Sequence, residues 1–296
     1  MIDPLPPVTP DLSAVRWIHG APEGAPNGDP PIQVVRPEAE TFVLRVSKGF
    51  SFEANFLYLL IGADRAVLFD SGPPPDPGSP LRVLPLRETV DAILSAQPRR
   101  LELVVAHTHG HGDHVFWDGQ FRDRPGTTVV GLGLEEVKAF WGLPGWPEGE
   151  AGFDLGGRVP TVFPIPGHEP THVAVWDPRT GILLTGDVLY PGLLTVRDWP
   201  AYRASARRLA EFAVRHPVRW ALGHHVEMSR RPGEPYPLGA TWQPEEHPLP
   251  LDASHIAALH ELCESMGDAP QDATLAEFAL VLMPEALATL PHGDRT

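Results

Sequence analysis

The stretch AHTHGHGDH, residues 106–114, places four histidines and an aspartate within nine positions. Neutral imidazole nitrogen and carboxylate oxygen are the ligands that borderline divalent cations take. His109 and His111 alternate, so on an extended segment both side chains point the same way. Asp113 and His114 follow after a glycine, and Gly110 and Gly112 are expected to let the backbone turn so that the four groups converge. An isolated HxH is more often a polar surface loop. Here the apolar run LELVVAH at 101–107 leads straight into the cluster, so the ligands stand at the end of a buried strand. Matching candidates stand at the ends of other β-like runs: His168 and His172 in PGHEPTH (166–172), Asp187 in LLTGD (183–187), and His224 and His225 in ALGHH (221–225).

The elements that must carry these groups follow from hydropathy patterning. Residues 1–40 are rich in Pro and Gly and only weakly periodic, and are expected to form an extended arm. From residue 41 to 296 the pattern fits a single domain. TFVLRVS, NFLYLLIG, AVLFD, TTVVG, HVAVWD, GILLTG and VRWALG are short apolar runs bounded by turn residues, which is the strand signature. Helical spacing marks LRETVDAILSAQ at 86–97, LEEVKAFWG, a stretch at about 201–215, and a C-terminal helical segment over 251–296 with helices near 252–266 and 274–289. Blocks of strands with helices between them predict an α/β or α+β sandwich.

Composition narrows the function classes. The formal net charge of −15 and the absence of a basic stripe argue against a grip on long nucleic acids. The longest apolar runs, such as residues 55–62, are far too short to cross a bilayer. The N-terminus has no basic start followed by an apolar stretch, so no signal peptide is expected and cytoplasmic location is the default. The single cysteine, Cys263, excludes an internal disulfide and reads as a packed thiol. The 36 prolines are dispersed, often as PG or PP, which suits rigid surface turns. The partner expected is a small-molecule substrate, with no nucleic acid and no membrane; a homo-oligomer is compatible with the sequence.

Taken together, LFDSG (68–72), THGHGDH (108–114), PGHEPTH (166–172), LLTGD (183–187) and LGHH (222–225) resemble, in order and spacing, the motifs of the metallo-β-lactamase fold superfamily. The resemblance implies a four-layer αβ/βα sandwich with a metal pair at one edge of the two sheets. It implies that His109, His111 and His168 hold the first metal. Asp113, His114 and a histidine of the 224–225 pair would hold the second, with Asp187 bridging. The commonest Gly-His pattern of the family points to His224. A subgroup with the pattern G-x-H-[IV]-E-M points to His225, and the following VEM of this chain matches it. Asp70 resembles the family's aspartate that orients a ligating histidine. His107 and His172 are expected to support the site rather than ligate. Tyr190, three residues after Asp187, holds the place where lactonase-like members carry a tyrosine that donates to a substrate carbonyl, although an aromatic residue there also serves as plain packing.

The chemistry implied is hydrolysis. Two divalent ions, most simply Zn²⁺ with Mn²⁺ or Fe²⁺ as alternatives, lower the pKa of a shared water from about 16 towards about 7. That nucleophile suits an ester, thioester, lactone, amide or phosphoester, with Asp113 orienting it and carrying a proton to the leaving group. His111 stands where oxygen-reducing diiron members commonly carry Glu, which favours hydrolysis. After the cluster, HVFWDGQF lacks the paired small glycines of glyoxalase II and lactonase members, a departure from both. Two other classes remain: an oxidoreductase resembling the mononuclear-iron persulfide dioxygenases of the same fold, and a non-catalytic metal-binding protein. The complete second ligand set counts against the first, and the absence of a missing ligand counts against the second. Residues 229–250 read as an irregular loop.

Overall fold

Alternation with a period of two writes the layers of this protein, whose computed structural model describes residues 5–283. In β2 (Thr41–Val46) and β3 (Phe56–Ile61), Phe42, Leu44, Leu57, Leu59 and Ile61 turn to one side, and Val43, Phe56, Tyr58 and Leu60 to the other. Both faces are apolar, so both must be covered. The first sheet runs β1 (Ile32–Glu38), β2, β3, β4 (Arg65–Phe69), β5 (Glu102–Ala106), β6 (Thr127–Val129). It is antiparallel as far as β4 and parallel from β4 to β6. On its outer face lies α1 (Leu86–Ser95), which buries Leu86, Val90, Ile93 and Leu94.

The second sheet has the order β12 (Trp220–Gly223), β10 (Ile182–Gly186), β9 (Val173–Asp177), β8 (Thr161–Pro164), β7 (Ala151–Gly152). Its inner residues Val162, Val173, Val175, Leu184 and Leu222 meet the inner face of the first sheet in one core. Its outer residues Phe163, Trp176, Leu183 and Ala221 pack under α4 (Trp199–Arg215) and α5 (Ala253–Met266). Each fully buried Leu, Val or Phe contributes roughly 1.5–3 kcal/mol relative to exposure, so three such cores hold four layers in the order α, β, β, α. A short α3 (Leu134–Trp141) follows β6. This is the expected four-layer sandwich.

One buried cation ties the two sheets together at the end remote from the histidines. The Arg158 guanidinium donates in bidentate fashion to Asp177 at 3.0 and 2.7 Å. It also donates to the carbonyls of Glu40 and Ile61 and to Thr41 Oγ1. Every donor is used, which is the condition for burying a charge at acceptable cost.

Two sequence expectations change. Residues 32–38, assigned to the extended arm, form β1, an edge strand paired with β2. Pro31 and Pro37 confine it to the edge, where missing donors cost nothing, and the register slips between Val35 and Glu38. The helix expected near 274–289 is absent over its described part; β13 (Ala273–Thr274) and β14 (Ala279–Leu282) take its place, and residues 284–289 lie outside the described residues. β14 pairs in parallel with β11 (Leu193–Val196), Thr195 opposite Val281. The waiting edge of β11 overrides the helical apolar spacing of this stretch. Among the described residues no helix is long and apolar enough to cross a membrane.

Candidate metal centre

Five strands end at the same edge of the sandwich, and each delivers part of the site: β4 leads to Asp70, β5 to His109, β8 to His168, β10 to Asp187, and β12 to His224 and His225. The turns are local. Asp70 has φ 67°, a left-handed backbone for a residue with a Cβ, at a cost on the order of 1–3 kcal/mol. Its carboxylate offsets this by accepting from Thr108 N, Thr108 Oγ1 and His114 Nδ1, each at 2.8 Å. Gly186, at φ 53°, precedes Asp187; a Cβ there would stand 2.2 Å from His172 Cε1. Gly110 and Gly112 are not left-handed. The expected glycine-driven turn is replaced by an ordinary bend, in which His111 at φ −67° opens the helical turn α2 (Gly112–Val115) that carries Asp113 and His114.

Among the described residues three groups of candidate ligand atoms result: Asp187 belongs to the first two, and Asp70, His114 and His224 make the third. In the first, His111 Nδ1 lies 2.9 Å from His109 Nε2 and 2.9 Å from His168 Nε2, with Asp187 Oδ2 3.5 Å from His168 Nε2. In the second, Asp113 Oδ2 lies 3.2 Å from His114 Nε2 and 3.4 Å from His225 Nε2. Asp187 Oδ2 stands 3.4 and 3.5 Å from those same nitrogens. Of the 224–225 pair the structure brings His225 into the group. His224 turns the other way, its Nε2 2.8 Å from Asp70 Oδ2.

The outer nitrogens set the tautomers. His168 Nδ1 meets the Thr195 carbonyl at 2.8 Å, His225 Nδ1 meets the Glu53 carbonyl at 3.0 Å, and His114 Nδ1 donates to Asp70. A ring that gives its proton outward keeps the lone pair of the other nitrogen for the centre. The residues fit a divalent cation on two further counts. Buried Asp187 Oδ1 has no hydrogen-bond partner, a costly state unless something else satisfies it. The donor set of imidazoles and carboxylates is the one such ions prefer.

Electrostatics divides the groups. Burial pushes His109 and His111 well below the usual histidine range, helped by neighbouring charges, His114 first for His109 and His168 first for His111. Burial also opposes charge on His114 and His225, yet nearby carboxylates overcome it, Asp113 first for His114 and Asp187 first for His225, and both are raised. Asp113 and Asp187 are held well below the carboxylate range against their burial, by His114 and His225.

The other sequence candidates are placed as follows. His172 Nε2 accepts from Asp187 N at 3.1 Å, and its ring stacks on that of His109 at 4.6 Å. His107 turns to Asp118, 2.8 Å away. Tyr190 packs its ring 5.6 Å from that of His225, and its hydroxyl lies 2.7 Å from the Leu193 carbonyl and 3.3 Å from Glu227 Oε2. Sequence reasoning missed Asn55 and Thr195, which touch the ligands, and Asp118. The one available signal was a lone Asn opening the apolar run NFLYLLIG.

The sequence model of the metallo-beta-lactamase superfamily matches residues 52–227, more than half of the chain, and the chain belongs to that superfamily. The hydroxyacylglutathione hydrolase of Anaeromyxobacter dehalogenans (strain 2CP-C) is 33% identical over 137 residues, 46% of this chain and 46% of the relative. That of Methylococcus capsulatus (strain ATCC 33009 / NCIMB 11132 / Bath) is 32% identical over 146 residues, 47% of this chain and 49% of the relative. The matched stretch thus spans about half the length of these curated relatives. The solved structure of TMB-1 covers 81% of this chain and 100% of its own at 16% identity with a TM-score of 0.50, a likeness of fold.

Proposed function

We propose that this protein is a dinuclear metallo-hydrolase of a small acyl substrate. The observation that carries the reading is Asp187, whose one carboxylate completes two adjoining buried ligand groups. His109, His111 and His168 are assigned to the first cation, and Asp113, His114 and His225 to the second, with zinc the ion that suits this donor set best. Bound there, the cations supply Lewis acidity and a water acidic enough to yield a nucleophile near neutral pH.

The chain's own residues do the rest. Asp70 and the carbonyls of Thr195 and Glu53 hold the imidazoles so that their lone pairs meet the cations. Asp113, with 22% of its side chain exposed against 8% for Asp187, is the ligand nearest solvent. Its carboxylate orients the attacking water and passes a proton to the leaving group. Tyr190 is assigned to packing beside His225. The curated relatives are hydroxyacylglutathione hydrolases, which makes an acyl thioester the first substrate to test; water adds to the acyl carbon, the C–S bond breaks, and the thiol leaves with a proton.

Elemental analysis of the purified, untagged protein, followed by assays on acyl thioesters, esters, lactones, β-lactams and phosphodiesters, tests this reading. About two zinc or manganese atoms per chain with hydrolysis of one of these classes is expected. One iron per chain, with oxygen uptake on thiol persulfides, would overturn it.

A further inference from the structure

The turn that carries His224 and His225 is gripped by a segment from the other sheet. Phe56 N donates to the His224 carbonyl at 2.8 Å, and the Glu53 carbonyl meets His225 Nδ1 at 3.0 Å. Between them, fully buried, sits Asn55. Its Nδ2 donates to Asp113 Oδ2 at 3.2 Å and lies 3.4 Å from His225 Nε2. The amide therefore bridges two members of the second ligand group, which come from β5 and β12.

Three features mark this contact as more than packing. The Asn55 carbonyl Oδ1 is buried with no partner, so the amide is not held there to satisfy itself. Reversing the amide would set an oxygen against a carboxylate oxygen, so the donor must face Asp113. Ala54, the residue before it, has φ 45°, a left-handed backbone that non-glycine residues rarely adopt and that clusters where geometry is imposed by function. Asp113 is also the member that needs an anchor: His114 and His225 have 0% and 4% of their side chains exposed, Asp113 22%. A carboxylate at the solvent edge samples several rotamers unless a fixed donor selects one.

We propose that Asn55 is a positioning residue of the second cation site, fixing the Asp113 carboxylate against His114 and His225 before the ion arrives. The proposal rests on reading that group as a cation site. It assigns Asn55 an effect on one of the two sites only, since its amide touches no member of the His109, His111, His168 group.

The test is a cobalt(II) titration of the metal-free protein, followed by the ion's d–d absorption and by competition with a chelator. Asn55→Ala removes the donor; Asn55→Leu removes it while keeping bulk, which separates the hydrogen bond from a cavity. In either variant, affinity for the second equivalent is expected to fall about 10- to 100-fold, the usual effect of losing such a supporting contact. The band of the second ion should shift, while the first equivalent stays within about twofold. If one variant fails to fold, the other decides. Two cobalt ions bound as in wild type by a folded variant, or equal weakening of both equivalents, would overturn the proposal alone. A wild type that takes a single cobalt would overturn the dinuclear reading, and the proposal with it.

Discussion

The two candidate ligand groups share Asp187 and differ in their electrostatics. His111 sits 2.9 Å from both His109 and His168, and burial keeps His109 and His111 neutral. Their lone pairs are ready without a proton leaving. Asp113, His114 and His225 form a charged knot: two imidazoles raised by carboxylates, two carboxylates lowered by imidazoles. An ion entering there must displace protons. Each group takes two members from the 108–114 motif and one from a further strand end, His168 after β8 for the first and His225 after β12 for the second. Their supports differ: Thr195 holds His168 in the first, while Glu53, Asn55 and Asp70 hold His225, Asp113 and His114 in the second. The comparison teaches that a single shared carboxylate can join a site held by apolar burial to a site held by charge.

Removing the shared element is the strongest way to break that pairing. Asp187→Asn is expected to lower metal content at both groups and to cut turnover by about 10³-fold or more, the scale of losing a major electrostatic stabiliser. Retention of two ions and full activity would show that the groups are not joined through Asp187. The histidine pair separates direct from supporting roles. His225→Ala should leave about one ion per chain. His224→Ala should keep two, with the second bound roughly tenfold more weakly because His224 acts through Asp70. Equal metal contents in the two variants would contradict the assignment.

Acid should sharpen the contrast. Below the raised pKa values of His114 and His225, protons hold the nitrogens that an ion needs, so affinity at the second group falls as pH falls. His109 and His111 are lowered, so their lone pairs persist to lower pH. Dialysis over a falling pH series, read by metal analysis, should therefore remove one ion before the other. Simultaneous loss of both would argue that the groups behave as one.

Much of the candidate site was legible in the sequence because its candidate ligands are side chains and side chains are written there. His109, His111, Asp113, His114, His168 and Asp187 follow strand-like runs that the period-two pattern exposes, and the four-layer sandwich follows from the same runs. What the sequence hides is backbone. The choice between His224 and His225 depends on which way the turn after β12 faces. The proton acceptors for His225 and His168 are the carbonyls of Glu53 and Thr195, which every residue type has. The stretch at 273–282 carries helical spacing, and only the free edge of β11, distant in sequence, makes it strand. Gly110 and Gly112 looked like turn-makers, yet the bend is made by ordinary dihedrals at His111.

The smallest effect concerns that borrowed strand. His168 Nδ1 lies 2.8 Å from the Thr195 carbonyl and 3.0 Å from Thr195 Oγ1. β14 holds the backbone of Thr195 through its parallel pairing with β11. Thr195→Val deletes the hydroxyl, keeps the shape and the β-propensity, and leaves the carbonyl to orient the ring. A neutral hydrogen bond is worth about 0.5–1.5 kcal/mol net, so affinity for the first ion should fall by less than about tenfold. The second ion should be unaffected, because Thr195 touches none of its ligands. Competition against a chelator resolves that difference, and a loss confined to the second ion would reverse the assignment of His168. A much larger loss at the first ion would mean that the hydroxyl, rather than the strand-held carbonyl, sets the tautomer of His168, and the first group would then depend on a side-chain anchor as the second does on Asn55.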